Sequence, residues 1–298
     1  MKLPTLSAAL QALCRQAEPD PQALAALGLE RLGGRNNRVF LWRGGEAPIC
    51  LKVYRADKRD RAGREWRALE FLAAQLPGLA PRPLWRAPDP QVPLAALEWL
   101  PGAPLHPGPP DPAALDGLER TLAQLHAITP ARAAYPEARY DPIPRIVARV
   151  AAWATRDDVA QEAAATALVR RWRRAGDHEL LEGPAPPVFA RGDPNLANCL
   201  WDGRHLRLVD FEYAGWSDLA AELADLVEHL NARAVPDARW EALLERLAPP
   251  DAALRRRLAA ARRTYALFWV AMLWPQRGER AAEFAAQVER ADALRLEA

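Results

Sequence analysis

The chain has 298 residues, half of them apolar, which is typical of a globular protein with one or two sizeable cores. Its 40 basic and 38 acidic residues nearly balance, which argues against a dedicated nucleic-acid binder. Three widely spaced cysteines, no signal-like N-terminal segment and no long apolar run favour a cytoplasmic protein without disulfides or a membrane span.

The first part of the chain is predicted to form a small sheet preceded by short helices. Helices are expected over residues 5–17 and 20–28, followed by three strands within residues 31–54. Glycine turns separate these strands. The turn at Gly33 and Gly34 would present backbone N–H groups to a phosphate, with Asn side chains assisting, although two glycines before a strand more often mark a plain turn.

The third predicted strand contains Lys52, which alternation places on the same face as Cys50 and Tyr54. A lysine at the centre of a strand either points into solvent or is directed inward at a ligand. The next segment, residues 58–76, has apolar residues at helical spacing, and Glu65 lies on the flank of its apolar stripe. The sequence therefore predicts a lysine-bearing strand followed by a glutamate-bearing helix.

Two further strands are predicted over residues 81–86 and 93–100, which gives a sheet of about five strands with one major helix. The second of these strands ends in a Pro-Gly turn. Residues 103–112 are rich in proline and are interpreted as a linker.

From residue 112 onward the pattern is mainly helical. The first helix contains His126, which we interpret as a buried or capping histidine in preference to a catalytic one. Helices are also expected over residues 143–155 and 158–175, and at least three more over residues 237–295. The arginines of the helix predicted over residues 158–175, at positions 170, 171, 173 and 174, are interpreted as a solvated face.

The most informative segment covers residues 187–215, PVFARGDPNLANCLWDGRHLRLVDFEYAG. Asp193 and Asn198 precede two β-rich runs that are joined by an Asp-Gly turn, the pattern of a hairpin. A hairpin of this length is expected to return Asp210 beside the other two side chains. An aspartate that accepts a hydroxyl proton and an Asn/Asp pair that holds Mg²⁺ are the parts of a phosphoryl-transfer site. The alternative is a plain hairpin with solvated acids.

Residues 189–225 resemble the signature of the aminoglycoside phosphotransferase and choline kinase-like family, protein-kinase-like enzymes that phosphorylate small molecules. The family pattern is His-Gly-Asp, four residues, Asn, a hairpin, Asp-x-Asp/Glu, then Gly, Asp and a helix. Every element is present except the His, which is Arg191 here. In the family that His supports the catalytic loop, so the departure bears on loop packing more than on chemistry.

The resemblance implies an α+β, two-lobed protein-kinase-like fold. The small lobe would contain an antiparallel sheet of about five strands plus a helix, and the large lobe would be mostly helical. We expect the small nucleotide-binding lobe over residues 1–98, a hinge and linker over residues 99–112, and the large catalytic and substrate-binding lobe over residues 113–298.

The resemblance also implies roles for individual residues. Asp193 would position and deprotonate the acceptor hydroxyl, while Asn198 and Asp210 would hold Mg²⁺. Lys52 would neutralise the nucleotide phosphates, oriented by Glu65 or, as the alternative, by Glu70. Further nucleotide-binding positions implied by the resemblance are Gly33, Gly34, Glu98, Trp99 and Leu100. Glu212 would bind a second metal or support the first without touching it.

Downstream of the hairpin, Ser217 and Asp218 form an N-cap signal for a helix over residues 219–230. That helix carries acids at spacings of three, near one of its faces. They form either a solvent-facing stripe or an acidic wall for a cationic substrate; the positions are Glu222, Asp225 and Glu228. Three tryptophans are either core residues or an aromatic box for a quaternary ammonium group: Trp216, Trp269 and Trp274.

The sequence thus predicts a Mg²⁺-dependent kinase that uses ATP or GTP to phosphorylate a hydroxyl of a small molecule. The candidate acceptors are an aminoglycoside, choline, another amino alcohol, a sugar or thiamine. No nucleic-acid or membrane partner is expected, and the sequence carries no signal for an oligomeric state. The alternative from another class is a pseudokinase-like nucleotide-binding module without phosphate transfer, for which Arg191 and the sparse glycine loop are the support. The tripeptide Arg-Gly-Asp at 191–193 is also an adhesion motif, but three residues are a coincidence.

Overall fold

The computed structural model describes residues 8–10, 12, 19–34, 36–87 and 93–294. The chain divides into two compact units. The first contains Met1–Ala103 and Leu200–Ala214, and the second contains Pro104–Cys199 and Gly215–Ala298. Most of the helix predicted over residues 5–17 lies outside the described residues. The structure is α+β, as the sequence predicts.

The first unit is built on a five-stranded antiparallel sheet of order β1-β2-β3-β5-β4, which confirms the predicted sheet. The strands are β1 (Leu29–Gly33), β2 (Arg38–Trp42), β3 (Ile49–Val53), β4 (Pro83–Arg86) and β5 (Leu94–Glu98). Helices α1 (Pro21–Ala26) and α2 (Arg61–Gln75) accompany them.

Apolar side chains on one face of this sheet form its core. Phe40 of β2 lies opposite Leu51 of β3, which lies opposite Ala96 of β5, and all three are almost completely buried. Because alternate residues of a strand share a face, Val53 lies on the same buried face as Leu51. Lys52 lies between them in sequence, so its side chain leaves the sheet on the opposite face.

Helix α2 starts at a side-chain cap. The carboxylate of Asp60 accepts a hydrogen bond from the Gly63 N–H at 3.2 Å, which satisfies one of the free donors of the first turn. Ala68, Leu69 and Leu72 form its buried stripe and Glu65 lies beside them.

The predicted hairpin consists of β8 (Cys199–Trp201) and β9 (Leu206–Leu208). Its turn closes through a hydrogen bond from Asp202 N to His205 O at 3.3 Å, and the Asp202 carboxylate accepts from two N–H groups of the turn. The β-rich run predicts a second strand up to residue 211, but the strand ends at Leu208. Asp210 has a left-handed φ of 66°, so the strand cannot continue through it.

The second unit is mostly helical. Its helices are α3 (Pro112–His126), α4 (Ile143–Trp153), α5 (Asp157–Ala160), α6 (Ala163–Arg174), α7 (Asp177–Glu182), α8 (Leu219–Glu228), α9 (Asp237–Leu247), α10 (Ala252–Leu273) and α11 (Ala281–Ala293). The strands β7 (Pro187–Ala190) and β10 (Gly215–Asp218) pair antiparallel, and the two-residue strand β6 (Ala103–Pro104) lies where the two units divide. The long helix α10 packs against α8, α7, α11 and α4. None of the described helices is long and apolar enough to span a bilayer.

The single helix predicted over residues 158–175 is wrong, because the chain forms α5 and α6 there. The Thr166 hydroxyl donates to the carbonyls of Val159 and Ala160, which satisfies acceptors at the end of α5. Gly176, with a φ of 67°, then separates α6 from α7. The N-cap predicted at Asp218 is confirmed, since its carboxylate accepts from Ala220 N at 2.8 Å.

Candidate active site

Lys52 of the first unit is buried and paired with two carboxylates. Its Nζ donates to Glu65 Oε2 at 2.6 Å and to Asp210 Oδ1 at 2.8 Å. Burial by itself lowers the pKa of Lys52, but the charges of Asp210 and Glu65 outweigh it and raise that pKa well above its ordinary value. The lysine is therefore a fixed cation that two different segments of the chain hold in place.

Glu65 holds the main chain at Phe211 as well as the side chain of Lys52. Its second carboxylate oxygen accepts from the Phe211 N–H at 3.1 Å, so the glutamate contacts the residue that follows Asp210. Glu65 is 1% exposed, whereas the Asp210 side chain is 28% exposed. One carboxylate is thus enclosed in the unit and the other remains open to a ligand.

Glu212 is enclosed in a separate network. One carboxylate oxygen pairs with the Arg61 guanidinium, and the other accepts from Asn37 Nδ2 at 2.7 Å. Burial raises the pKa of Glu212, with Asp210 adding to the rise and Lys52 opposing it. Because both oxygens are engaged, the geometry favours the supporting role of Glu212 over that of a second metal ligand.

The glycine turn after β1 is tight. Gly34 has a φ of 108°, and a Cβ there would lie 2.0 Å from the Asn37 carbonyl oxygen, so only glycine suits this position. The side-chain amide of Asn37 is occupied at both ends, by Glu212 and by Arg55 N. The protein itself thus engages the Asn37 side chain, and assistance to phosphate binding by the Asn side chains of this turn stays a prediction. Gly33 closes β1 at the start of this turn.

The predicted hinge follows β5. The Glu98 N–H donates to Arg82 O at 2.9 Å, and the Glu98 carboxylate pairs with the Arg82 guanidinium at 3.2 Å. That N–H is therefore used within the sheet. Trp99 and Leu100 follow in irregular backbone, where the predicted contact with a base stays a prediction.

In the second unit, Asp193 and Asn198 lie together on one short loop. Asn198 Nδ2 donates to Asp193 Oδ2 at 3.2 Å, and Asn195 N donates to Asp193 Oδ1 at 3.0 Å. The loop ends in a 3₁₀ turn, Leu196–Asn198, which is capped by the Asn195 side chain. Asn231 Nδ2 also donates to that side chain, at 2.7 Å. Spacing alone predicted the Asp–Asn pair, but it gave no sign of Asn231.

A cavity of about 20 Å³ lies beside this loop. Its polar lining comprises Arg191, Asp193, Glu222 and the half-buried His126. Burial lowers the pKa of His126 to about 4, so the imidazole is neutral near pH 7. The sequence predicted a buried or capping role for this histidine without indicating that it shares a cavity with Asp193.

The interpretation of α8 as a solvent-facing acidic stripe is wrong. Arg139 pairs with both Glu222 and Asp225, and all three side chains are nearly buried. Burial raises the pKa of Asp225 to about 7, against the opposing charge of Arg139. Glu228 is fully buried and pairs with three arginines: Arg233, Arg262 and Arg290. Sequence reasoning missed Arg139 because it lies in an irregular segment far from α8 along the chain.

The three tryptophans proposed for a box have different ring partners. Trp216 packs edge-on against Tyr135 and Phe189, while Trp269 packs against His229 and Phe268. Trp274 is 1% exposed and donates to Asp158 at 2.8 Å. It cannot offer a ring face to a ligand, so the box interpretation is wrong for Trp274 and the core interpretation is right.

An antiparallel sheet with a Lys–Glu ion pair, followed by a helical unit with an Asp-x4-Asn loop, defines a protein-kinase-like class of fold. Within that class, the model of the phosphotransferase enzyme family matches residues 28–268, and the chain belongs to this family. The protein is accordingly a small-molecule kinase.

Solved structures show the same fold. A choline/ethanolamine kinase family protein from Mesorhizobium loti is 23% identical, with 97% of this chain and 94% of the other covered and a TM-score of 0.65. The aminoglycoside phosphotransferase APH(4)-Ia is 16% identical, with 91% and 95% covered and a TM-score of 0.65. Choline kinase from Cryptosporidium parvum is 13% identical, with 97% and 95% covered and a TM-score of 0.61. No curated protein matches the sequence.

Proposed function

We propose that the protein transfers the γ-phosphate of ATP or GTP to a hydroxyl of a small molecule in a Mg²⁺-dependent reaction. The observation that carries the proposal is the position of Lys52, whose Nζ is held between Glu65 and Asp210 at 2.6 and 2.8 Å. Kinases require a strand lysine, a helix glutamate and a metal-binding aspartate in this relationship. Family membership supports the same reaction.

Asp193 is proposed to orient the acceptor hydroxyl and to take its proton. The support is its carboxylate, which is half-buried and held by Asn195 N and Asn198 Nδ2. A carboxylate fixed by such donors is pre-organised, so little reorientation is needed when the hydroxyl arrives.

Asn198 and Asp210 are proposed to hold the Mg²⁺. Asn198 Oδ1 and Asp210 Oδ2 accept no hydrogen bond within the part of the chain that the structure describes, and hard oxygens of this kind suit Mg²⁺. The described residues contain no group of three or more His, Cys, Asp or Glu side chains placed for a metal. Magnesium usually takes one or two protein ligands and keeps waters and phosphates. When bound, the ion neutralises charge on the phosphates.

The nucleotide is proposed to bind the first unit. Lys52 would contact its phosphates, the backbone of Gly33 and Gly34 would lie over them, and Trp99 and Leu100 would contact the base through their backbone. In functional terms, residues 1–98 then form the nucleotide-binding lobe, residues 99–112 the hinge and linker, and residues 113–298 the catalytic and substrate-binding lobe.

The acceptor is proposed to be an aminoglycoside, choline or a related amino alcohol or sugar, phosphorylated in the cytoplasm. A ternary complex of a thermostable APH(4)-Ia mutant contains AMP-PNP and hygromycin B, and that chain has the same fold at 16% identity. A nucleotide analogue bound together with a small molecule is the pairing that the proposal requires.

A nucleotide-consumption screen tests the proposal. Purified protein with Mg²⁺ and ATP or GTP is offered a panel of aminoglycosides, amino alcohols, sugars and thiamine, and the product is identified by mass spectrometry and ³¹P NMR. We expect an acceptor-dependent rate that disappears with EDTA and in the Asp193→Asn variant. Tight binding of Mg²⁺-nucleotide with no transfer to any acceptor would contradict the proposal and favour a binding module.

A further inference from the structure

Arg191, where the family has a histidine, is a buried cation with neutral partners. It is 5% exposed. Its guanidinium donates to Asn198 O at 2.8 Å, to Asn195 O at 3.5 Å and to the Cys199 sulfur at 3.6 Å. Among the described residues, no carboxylate lies within ion-pair distance of it. The buried arginines Arg61 and Arg139 each pair with two carboxylates instead.

A buried charge without a carboxylate partner costs free energy, so the contacts of Arg191 must offset that cost. The main-chain carbonyls of Asn195 and Asn198 accept hydrogen bonds from the charged guanidinium, and both belong to one short loop. Asn195 caps the 3₁₀ turn Leu196–Asn198, and Asn198, the last residue of that turn, donates through Nδ2 to Asp193. Arg191 also lines the cavity that contains the carboxylates of Asp193 and Glu222. The guanidinium therefore joins the main-chain carbonyls of Asn195 and Asn198 from the buried side of the loop.

We propose that Arg191 is a positioning residue that fixes the loop of residues 193–198 and thereby holds Asn198 where it binds the metal; the metal-binding part rests on the proposed function. A neutral imidazole has one N–H donor, whereas the planar guanidinium has five in a fork. Arginine bonds to carbonyls on both sides of the turn at once, which a histidine at this position cannot do. Arg191 thus fixes the loop through a different set of hydrogen bonds from those a histidine could make, and the loop keeps its proposed role in binding the metal.

Two measurements on Arg191→Met, Arg191→Lys and Arg191→His test this role. Hydrogen–deuterium exchange of peptides covering residues 192–200 measures how firmly the loop is held, and it does not depend on catalytic activity. The Mg²⁺ concentration at half-maximal rate, with kcat and KM, reports the position of Asn198. The matched control is Arg263→Met, which removes a partly buried arginine, the partner of the buried Asp177 at 2.7 Å.

For Arg191→Met we expect at least about tenfold faster exchange at residues 195–199 and about a tenfold higher Mg²⁺ requirement, with the KM of the acceptor changed less than threefold. Arg191→Lys and Arg191→His should lie between this variant and the wild type. Arg263→Met should lower the melting temperature but leave both readouts at wild-type values. Wild-type exchange and Mg²⁺ requirement in Arg191→Met, or in Arg191→Lys where the Met variant does not fold, would overturn the proposal. If the wild-type protein transfers no phosphate, the proposed function is refuted. The hydrogen–deuterium exchange measurement would still show whether Arg191 fixes the loop.

Discussion

The carboxylate of Glu65 accepts a hydrogen bond from the Phe211 N–H at 3.1 Å. With its other oxygen it holds Lys52. A single side chain on α2 therefore fixes both the lysine and the main chain beside Asp210. The phosphate-binding cation and the proposed metal ligand depend on the same glutamate for their positions.

Glu65→Gln should lower kcat/KM about 10- to 100-fold. The amide oxygen can still accept one hydrogen bond, but the buried Lys52 loses one of its two compensating charges. Steady-state kinetics at saturating Mg²⁺ measure the effect. Glu70→Gln is the matched control on the same helix, because Glu70 is exposed. Equal losses in both variants would show that Glu65 has no special role.

Gly34→Ala should reduce nucleotide affinity and destabilise the protein by about 1–3 kcal/mol. The added Cβ would lie 2.0 Å from the Asn37 carbonyl oxygen, so the turn must open. Gly78→Ala is the control, since Gly78 also has a positive φ, of 86°, but an added Cβ there would have no atom within 4 Å. Nucleotide titration and urea unfolding compare the two variants. The prediction fails if Gly34→Ala binds nucleotide as well as Gly78→Ala.

Asp225 and His126, whose pKa values shift in opposite directions, should give opposite pH dependences of stability. Asp225 ionises near 3.8 when unfolded and near 7 when folded, because burial raises its pKa. The folded state then holds an extra proton, and the free energy of unfolding falls as pH rises from about 4 to 7. His126 has its pKa lowered by burial from 6.5 to about 4, so its contribution is lost as pH falls through that window.

Each pKa unit is worth about 1.4 kcal/mol, so removing either group should change the slope measurably. In urea unfolding between pH 4.5 and 7, Asp225→Asn should make stability rise more steeply with pH. His126→Gln should make it rise less steeply or fall. A wild-type slope in both variants would contradict these ionisation states.

Local patterns were enough to predict the five-stranded sheet, the hairpin and the Asp193–Asn198 contact, because each depends on alternation, turn residues or short spacing. Helical phase placed Glu65 on the flank of the apolar stripe, whereas its pairing with Lys52 was implied by the family resemblance. The partners of Glu212, Asp225 and Glu228 could not be predicted. They are arginines and an asparagine from distant segments of the chain. Tertiary packing brings these residues together, and it leaves no periodic pattern in the local sequence from which they could be predicted.

The central claim is that this chain moves a phosphate with Asp193 as the base. The most direct measurement compares Asp193→Asn with wild type for two quantities, the rate of phosphate transfer and the dissociation constant of Mg²⁺-ATP. We predict at least about a 10³-fold loss of rate with the dissociation constant changed less than threefold, whereas Asp210→Asn should weaken Mg²⁺-dependent nucleotide binding. Wild-type turnover in Asp193→Asn would contradict the account.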